Sequence, residues 1–73
     1  MITDIHNGVP VHDGNTVYIS DYCEAFGFKQ RDELVDEMAS DGANADEIDE
    51  AWDAIIEAFY AWCDENDYQG EEV

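Results

Sequence analysis

The amino-acid sequence predicts an α+β fold in which an N-terminal β-hairpin packs on two or three α-helices, the last of them the longest. Apolar residues alternate with other residues within the first twenty positions, which indicates strands because successive side chains of a strand point to opposite faces. Apolar residues later recur every three or four positions, which is the period of a helix. The chain has 73 residues, the length of a single domain. We expect strands in residues 1–20, helices in 21–66 and a flexible tail in 67–73.

The hairpin is predicted from four β-branched residues, which are Val9, Val11, Val17 and Ile19. Asp13-Gly14 lies between the two runs, and this dipeptide is typical of tight turns because glycine accepts a positive φ. Pro10 has no N–H to donate to a neighbouring strand, so its strand is expected at an edge of the sheet. Ile2 and Ile5 either add a short third strand or cover the core.

Two short helices are expected after the strands. Ser20 is a suitable N-cap for a first helix from Asp21 to Phe26. Gly27 would end that helix in the left-handed conformation that follows many helices. A second helix is predicted from Lys29 to Ser40, with an inner face formed by Leu34, Val35 and Met38.

The third helix has the clearest signals. Asn44 is placed to cap it and Glu47 follows three residues later, as in a capping box. The helix is expected to end near Asp64 to Asn66. Its predicted core side is a stripe at steps of four, three, four and three residues, formed by Ile48, Trp52, Ile55, Phe59 and Trp62.

Acidic residues outnumber basic ones by twenty to two, which gives a formal net charge of −18. A small domain needs a net charge of only roughly 2–8 in magnitude to stay in solution, and like charges destabilise the compact state. Eighteen of the twenty acids follow Ser20, and the two basic residues are Lys29 and Arg31. The excess therefore favours either a basic partner or a salty environment that offsets the repulsion.

The acids form rows on the predicted helix faces. On the third helix, members three or four residues apart lie roughly 5–6 Å apart along the axis, a separation comparable to that of phosphates on one DNA strand. Rows of this kind are solvated surface in most helices, but the near absence of Lys and Arg favours a role in binding or in adaptation to salt. The candidate partner-binding residues are Asp32, Glu33, Asp36 and Glu37 on the second helix and Asp46, Glu50, Asp53, Glu57 and Asp64 on the third.

The sequence carries no signature of an enzyme or of a cofactor site. Catalytic carboxyl groups lie in clefts, whereas these acids are expected on convex faces. Segments starting at Asp41 or Asp64 lack the ligand spacing of an EF-hand, and His6 and His12 form no metal-binding pattern with the cysteines. We expect no catalysis, no cofactor and no metal, and no direct binding of nucleic acid, which the charge would repel.

Other side chains have simpler expected roles. Cys23 and Cys63 are expected as buried thiols, because disulfides are rare in cytosolic proteins. No signal peptide or membrane span is evident, so the expected location is the cytoplasm, that of the host cell if a phage encodes the protein. Trp52 and Trp62 are expected in the core. The expected exposed contacts of an interface are Tyr18, Tyr22, Tyr60 and Tyr68.

Small size and extreme acidity together resemble the phage and plasmid DNA-mimic proteins, which include antirestriction and anti-CRISPR proteins. Within Tyr18–Gly27, Asp21, Tyr22 and Phe26-Gly27 are similar to the Asp-Tyr-Glu-Gly-Phe segment of the plasmid antirestriction family. The resemblance implies stoichiometric inhibition of a DNA-binding enzyme or complex, without catalysis. Ala25–Val35 resembles the helix junction of ribbon-helix-helix repressors, which implies a homodimer, although the charge contradicts a repressor's function.

Three functional hypotheses follow. In the first, the carboxylate rows bind the basic DNA-binding groove of a host defence complex, such as a CRISPR–Cas complex or a restriction enzyme, and block DNA binding. In the second, the acidity adapts a halophilic protein to high salt, which predicts unfolding in low salt. In the third, the protein is an acidic regulator or antitoxin that binds a basic protein unrelated to DNA.

Overall fold

The computed structural model describes residues 1–73 and contains seven elements. In chain order they are β1 (Ile2–His6), β2 (Val9–His12), β3 (Thr16–Tyr18), α1 (Ile19–Phe26), α2 (Arg31–Ser40), α3 (Ala45–Glu65) and β4 (Gln69–Glu71). The strands form one sheet in the order β1-β2-β3-β4, antiparallel from β1 to β3 and parallel between β3 and β4. The predicted α+β fold is confirmed, with β1 as the third strand of the N-terminal region and α3 as the longest helix.

Two tight turns connect the first three strands. Asn7 and Gly8, with φ of 54° and 87°, join β1 to β2. Asp13 and Gly14, with φ of 52° and 89°, begin the turn between β2 and β3. The predicted turn at Asp13-Gly14 is therefore confirmed. Both turns place a glycine at a left-handed position that a residue with a Cβ atom adopts only with strain.

The prediction that Pro10 lies in an edge strand is wrong, because β2 has β1 on one side and β3 on the other. Ile5 faces Pro10 in the β1–β2 register, whereas β2 and β3 pair only at His12 and Thr16. The β2–β3 ladder therefore does not extend to Pro10. An interior strand tolerates the proline here because one of its two ladders has already ended.

The core lies between the inner face of the sheet, helix α1 and the C-terminal half of α3. Its eight buried residues are Val9, Val11, Val17, Ile19, Tyr22, Cys23, Phe59 and Cys63. Both cysteines are free thiols, as predicted. Trp52 and Trp62 are half-buried and pack against this cluster.

Tyr22, predicted as an exposed contact, is instead buried, and that prediction is wrong. Only 5% of it is exposed, because its ring packs against Phe26, Phe59 and Trp62 at centroid distances of 4.7, 5.3 and 5.6 Å. Burial raises the pKa of its hydroxyl. Tyr22 is therefore part of the core and unavailable to a partner.

Helix α1 begins at Ile19, earlier than predicted, and its N-cap is Tyr18 rather than Ser20. No side chain caps this end. Ile19, which the alternation pattern assigned to a strand, is only 4% exposed and is one of the helix's core residues. The helix therefore starts where Ile19 can be buried, and not after Ser20, which would then be the N-cap. The end of α1 is as predicted, since Gly27 has φ of 78° and its N–H donates to the carbonyl of Cys23.

Helix α2 begins at Arg31 rather than Lys29 and packs on α3. Gln30 is extended, and its side-chain amide donates to the carbonyl oxygen of Ser20 at 2.7 Å, which fixes the connection to α1. No residue of α2 is fully buried; its predicted inner face is half-buried at Leu34, Val35 and Met38. Helix α2 thus lies outside the main core.

Helix α3 is capped as predicted. The Asn44 Oδ1 atom accepts a hydrogen bond from the N–H of Glu47 at 2.9 Å, and the helix ends at Glu65, within the predicted range. Of the predicted apolar stripe, only Phe59 is fully buried, and the other four residues are half-buried. The N-terminal half of α3 lies at the margin of the main core, which leaves its apolar side chains partly exposed.

The expectation of a flexible tail in residues 67–73 is wrong. Gln69–Glu71 form β4 beside β3. Gly70 faces the core, where an added Cβ atom would lie 2.8 Å from Cε2 of Phe59 and 3.0 Å from Sγ of Cys63. The short polar strand has no pattern of its own, so its place depends on contacts with distant residues.

Candidate partner-binding surface

Helix α3 carries the predicted row of five carboxylates, and all five are exposed. The helix has 21 residues and is about 31 Å long. Asp46 and Asp64, the ends of the row, are separated by about 27 Å at 1.5 Å per residue. Since the helix is unbroken between them, the row lies on one convex face, on the far side of the helix from Phe59. The members of the row are Asp46, Glu50, Asp53, Glu57 and Asp64.

The four candidate acids of α2 are also exposed, but they are not equivalent. The Lys29 ammonium nitrogen lies 2.7 Å from Oε2 of Glu37. This bond is the main reason that the pKa of Lys29 is raised, so the ammonium stays charged. Glu37 is thus already paired, whereas Asp32, Glu33 and Asp36 have no basic partner.

The second basic residue holds α2 against α3. Nη2 of Arg31 lies 3.9 Å from Oδ1 of Asp49. Asp49 lies outside the predicted rows, and no sequence spacing relates it to Arg31. Both cations of the chain therefore pair with acids of the two-helix region formed by α2 and α3.

Most of the acids have no cation nearby. Besides the pairs at Glu37 and Asp49, Asp13 lies 3.5 Å from the N-terminal amino group and Asp21 lies 3.9 Å from Nε2 of His12. Subtracting these four acids from the twenty leaves sixteen with neither a cation nor a histidine within 4.0 Å. The surface that a partner meets is therefore strongly negative, with little internal neutralisation.

The molecule is an elongated rod with extents of 41 × 17 × 17 Å. Its radius of gyration of 13.3 Å exceeds the value of about 11 Å for a compact chain of this length. Spread along the 41 Å length, the net charge of −18 corresponds to one negative charge per 2.3 Å. Double-stranded DNA carries one per about 1.7 Å. The interaction energy of two unit charges in water equals RT at a separation of about 7 Å. Because the charges of this protein and of DNA are both spaced more closely than that, both molecules attract counterions.

The C-terminal segment contributes an acid that sequence reasoning missed. The Tyr60 hydroxyl donates a hydrogen bond to Oε2 of Glu72 at 3.0 Å, and this bond is the main cause of the raised pKa of Tyr60. Glu72 is not among the predicted binding residues, and it lies in the segment predicted as a flexible tail. No sequence pattern indicates the position of Glu72. Its segment is positioned by the close approach of Gly70 to the core, which is a contact between residues distant in the chain.

The remaining predicted contact residues are less exposed than expected. Tyr18, Tyr60 and Tyr68 are all half-buried. The Tyr68 hydroxyl lies 2.8 Å from Nδ1 of His6, and the ring of Tyr18 lies 4.7 Å from that of His12. These tyrosines offer one edge to a partner rather than a whole ring.

The chemistry of this surface is that of an acceptor of positive charge. Carboxylates form short, strong hydrogen bonds with the guanidinium of Arg and the ammonium of Lys. No group of three or more His, Cys, Asp or Glu side chains is arranged to hold a metal ion. None of the helices combines the length and the apolar character needed to cross a lipid bilayer.

Comparisons with protein-family models, with curated proteins and with solved structures found no match for this chain.

Proposed function

We propose that this protein is a non-enzymatic inhibitor of the DNA-mimic type, made by a phage or mobile element. In this proposal it binds the basic DNA-binding groove of a host defence complex, a CRISPR–Cas complex or a restriction enzyme, in the host cytoplasm. The observation that carries the proposal is the density of charge: one net negative charge per 2.3 Å along a rod 17 Å wide.

Inhibition in this proposal is competitive and stoichiometric. The exposed carboxylates of α2 and α3 accept hydrogen bonds from the Lys and Arg side chains that otherwise hold phosphates. DNA cannot enter the groove while these side chains are occupied. Because both surfaces release counterions when they meet, the affinity falls as the salt concentration rises.

The α3 row is tested by neutralising it. A triple variant, Glu50→Gln with Asp53→Asn and Glu57→Gln, changes the formal net charge from −18 to −15. A matched triple variant, Asp4→Asn with Asp13→Asn and Glu71→Gln, changes the net charge by the same amount at three acids that lie outside the rows. Both are titrated into a purified defence complex bound to fluorescent duplex DNA, and displacement is read as anisotropy.

We expect the row variant to lose at least about tenfold in inhibition, since each charge-assisted hydrogen bond contributes about 1.5–3 kcal/mol. The matched variant should lose less than about threefold. Equal losses would mean that only total charge matters, and an unchanged row variant would show that this face does not bind.

The halophile hypothesis is separated by a thermal melt at about 50 mM and about 2 M salt, where screening lengths differ severalfold. The proposal expects a folded protein with a cooperative melt at the lower concentration. A chain that is unfolded at the lower concentration and folds only at the higher one supports adaptation to salt instead. Capture of a toxin or ribosomal protein from host lysate, with no defence complex, supports the regulator hypothesis.

A further inference from the structure

A concave pocket of about 280 Å³ lies where α1, α2, α3 and the C-terminal segment meet. Pockets that hold drug-sized ligands are larger, roughly 300–1,000 Å³. This pocket therefore has the size for one long side chain rather than for a cofactor. Its lining includes Trp52, Asp32, Glu72 and Arg31.

Hydrogen bonds between distant segments hold the walls of this pocket. The Tyr60 hydroxyl donates to Glu72 at 3.0 Å and fixes the carboxylate contributed by the C-terminal segment. Gln30, another lining residue, donates to the carbonyl of Ser20 at 2.7 Å and joins α1 to the start of α2. The pocket is thus formed before any partner arrives, which reduces the entropy cost of binding.

The charge of the lining favours a cation. Asp32 and Glu72 contribute two carboxylates, and Arg31 contributes one guanidinium, so the lining carries a net charge of −1. The guanidinium of Arg31 is already directed at Asp49, 3.9 Å away. The indole of Trp52 is half-buried, and an indole face attracts cations more strongly than any other aromatic side chain.

We propose that this pocket receives one arginine side chain of the basic partner, with the guanidinium against Trp52 and within reach of Asp32 and Glu72. Arginine fits better than lysine because its planar guanidinium both stacks on an aromatic ring and pairs with a carboxylate. The proposal rests on the proposed function in one respect, that the partner is basic. It adds a specific anchor to a surface whose remaining contacts depend on charge alone.

The test uses N-acetyl-arginine amide as the probe and N-acetyl-citrulline amide, its uncharged counterpart, as the control. Each is titrated at constant ionic strength into the ¹⁵N-labelled full chain, and the indole N–H signals of Trp52 and Trp62 are followed by NMR. We expect the arginine probe to shift the Trp52 signal saturably and to leave the Trp62 signal unchanged. The citrulline probe should produce no saturable shift.

Matched variants separate the pocket from the general negative charge. Glu72→Gln should weaken binding of the arginine probe by about two- to fivefold, the upper part of the range for an exposed ion pair. Glu71→Gln removes the same charge one residue away, outside the pocket, and should change binding by no more than about 1.5-fold because of screening. A second pair of variants on α2, Asp32→Asn in the pocket and Asp36→Asn outside it, repeats the comparison. This pair stays informative even if Glu72→Gln loosens β4.

Several results would overturn the anchor. They are an equal response to citrulline, equal effects within both variant pairs, or no saturable shift of Trp52. These results are distinct from a failure of the proposed function, which is measured by displacement of DNA from the defence complex. If the α3 row variant loses inhibition but no arginine binds at Trp52, the arginine anchor is wrong and the proposed inhibitor function stands. If arginine binds at Trp52 but the α3 row variant inhibits normally, the proposed function is wrong and the pocket stands.

Discussion

Gly70 lies with its α-carbon against Phe59 and Cys63, and an added Cβ atom would approach their side chains to 2.8 and 3.0 Å. Both neighbours are fully buried in α3 and cannot move aside cheaply. We expect Gly70→Ala to lower the free energy of unfolding by about 1–3 kcal/mol, the usual cost of overpacking a core. Urea denaturation measures this change. The control is Gln69→Ala, an exposed neighbour in the same strand, which should change stability by no more than about 0.5 kcal/mol.

Asn44 provides the one side-chain cap at a helix N-terminus among the three helices. Its Oδ1 atom accepts the N–H of Glu47, which otherwise has no partner within α3. Asn44→Ala should lower the free energy of unfolding by about 1 kcal/mol. Asn44→Ser keeps an acceptor and should retain most of the stability. Similar denaturation midpoints for the alanine and serine variants would contradict a capping role.

The buried thiols make stability depend on pH in the alkaline range. Burial, and to a lesser extent Asp64, raises the pKa of Cys63 from 9.0 to about 11, and burial also raises the pKa of Cys23. Above pH 9 the unfolded chain loses these protons while the folded chain keeps them. Their contribution to stability is therefore complete below pH 9 and is lost as the pH rises through the folded pKa values.

We expect urea midpoints to fall between pH 8 and pH 10, and the fall to be smaller in Cys63→Ala. The pKa of Tyr22 is also raised, but its ordinary value is 10.0, so in the unfolded chain this tyrosine ionises only at the upper end of the window and contributes less than the thiols. The alanine variant is less stable at every pH because it leaves a cavity, so the comparison is between slopes. Parallel slopes would show that the thiol at Cys63 titrates alike in the folded and unfolded chains.

At the scale of elements, α2 is the least supported helix. It has no buried residue, its neighbour in the fold is α3, and ion pairs at both of the chain's basic residues help to hold it. Segments with few buried contacts open locally before the rest of a protein unfolds. In native-state hydrogen exchange, we expect the amides of α2 to exchange faster than those of β2 and of the C-terminal half of α3.

A matched pair of variants isolates the ion pair at Lys29. Glu37→Gln removes the ion pair with Lys29 and one negative charge, whereas Asp36→Asn removes one charge that has no basic partner. Glu37→Gln should therefore speed exchange in α2, and Asp36→Asn should slow it or leave it unchanged. If both variants slow exchange equally, repulsion along the helix outweighs the ion pair.

The elements that could be predicted from the sequence are those with local signals. Helix α3 shows both its period and its cap, and the turn at Asp13-Gly14 is specified by two adjacent residues. Asn7-Gly8, between β1 and β2, is an equally local turn signal. The start of α1, the interior position of Pro10 and strand β4 were predicted wrongly because each depends on which segment packs beside it.

The same distinction applies to the candidate surface. The acidic row of α3 could be predicted because residues three and four apart share a helix face. The pairs of Arg31 with Asp49 and of Tyr60 with Glu72 join segments that are distant in the chain, and no spacing indicates them. The pocket at Trp52 is formed by several such segments and is accordingly absent from the sequence pattern.

At the scale of the whole molecule, charge and shape act together. The core has only eight buried residues, while sixteen acids have neither a cation nor a histidine within 4.0 Å. Like charges three or four residues apart on a helix each destabilise it by about 0.2–0.5 kcal/mol. A small core therefore opposes repulsion that is spread along a 41 Å rod, and the balance depends on the surrounding ions.

Salt should consequently act in opposite directions on folding and on binding. From about 10 mM to about 150 mM salt, the screening length falls from about 30 Å to about 8 Å. Repulsion within the rod weakens, and the free energy of unfolding should rise by on the order of 1–2 kcal/mol, as several like-charge pairs are relieved. Attraction to a basic groove weakens over the same range, and the affinity should fall at least about a hundredfold.

Denaturation in urea measures the first change and displacement of labelled DNA measures the second, on the same preparation. Replacing sodium chloride with an uncharged osmolyte at equal osmolality is the control, because an osmolyte stabilises by exclusion from the surface and leaves the charges unscreened. A stability that does not rise with salt would show that the carboxylates lie too far apart to repel. An affinity that does not fall would show that the partner is held by apolar contacts, and the carboxylate rows would then be only the solvated surface of the helices.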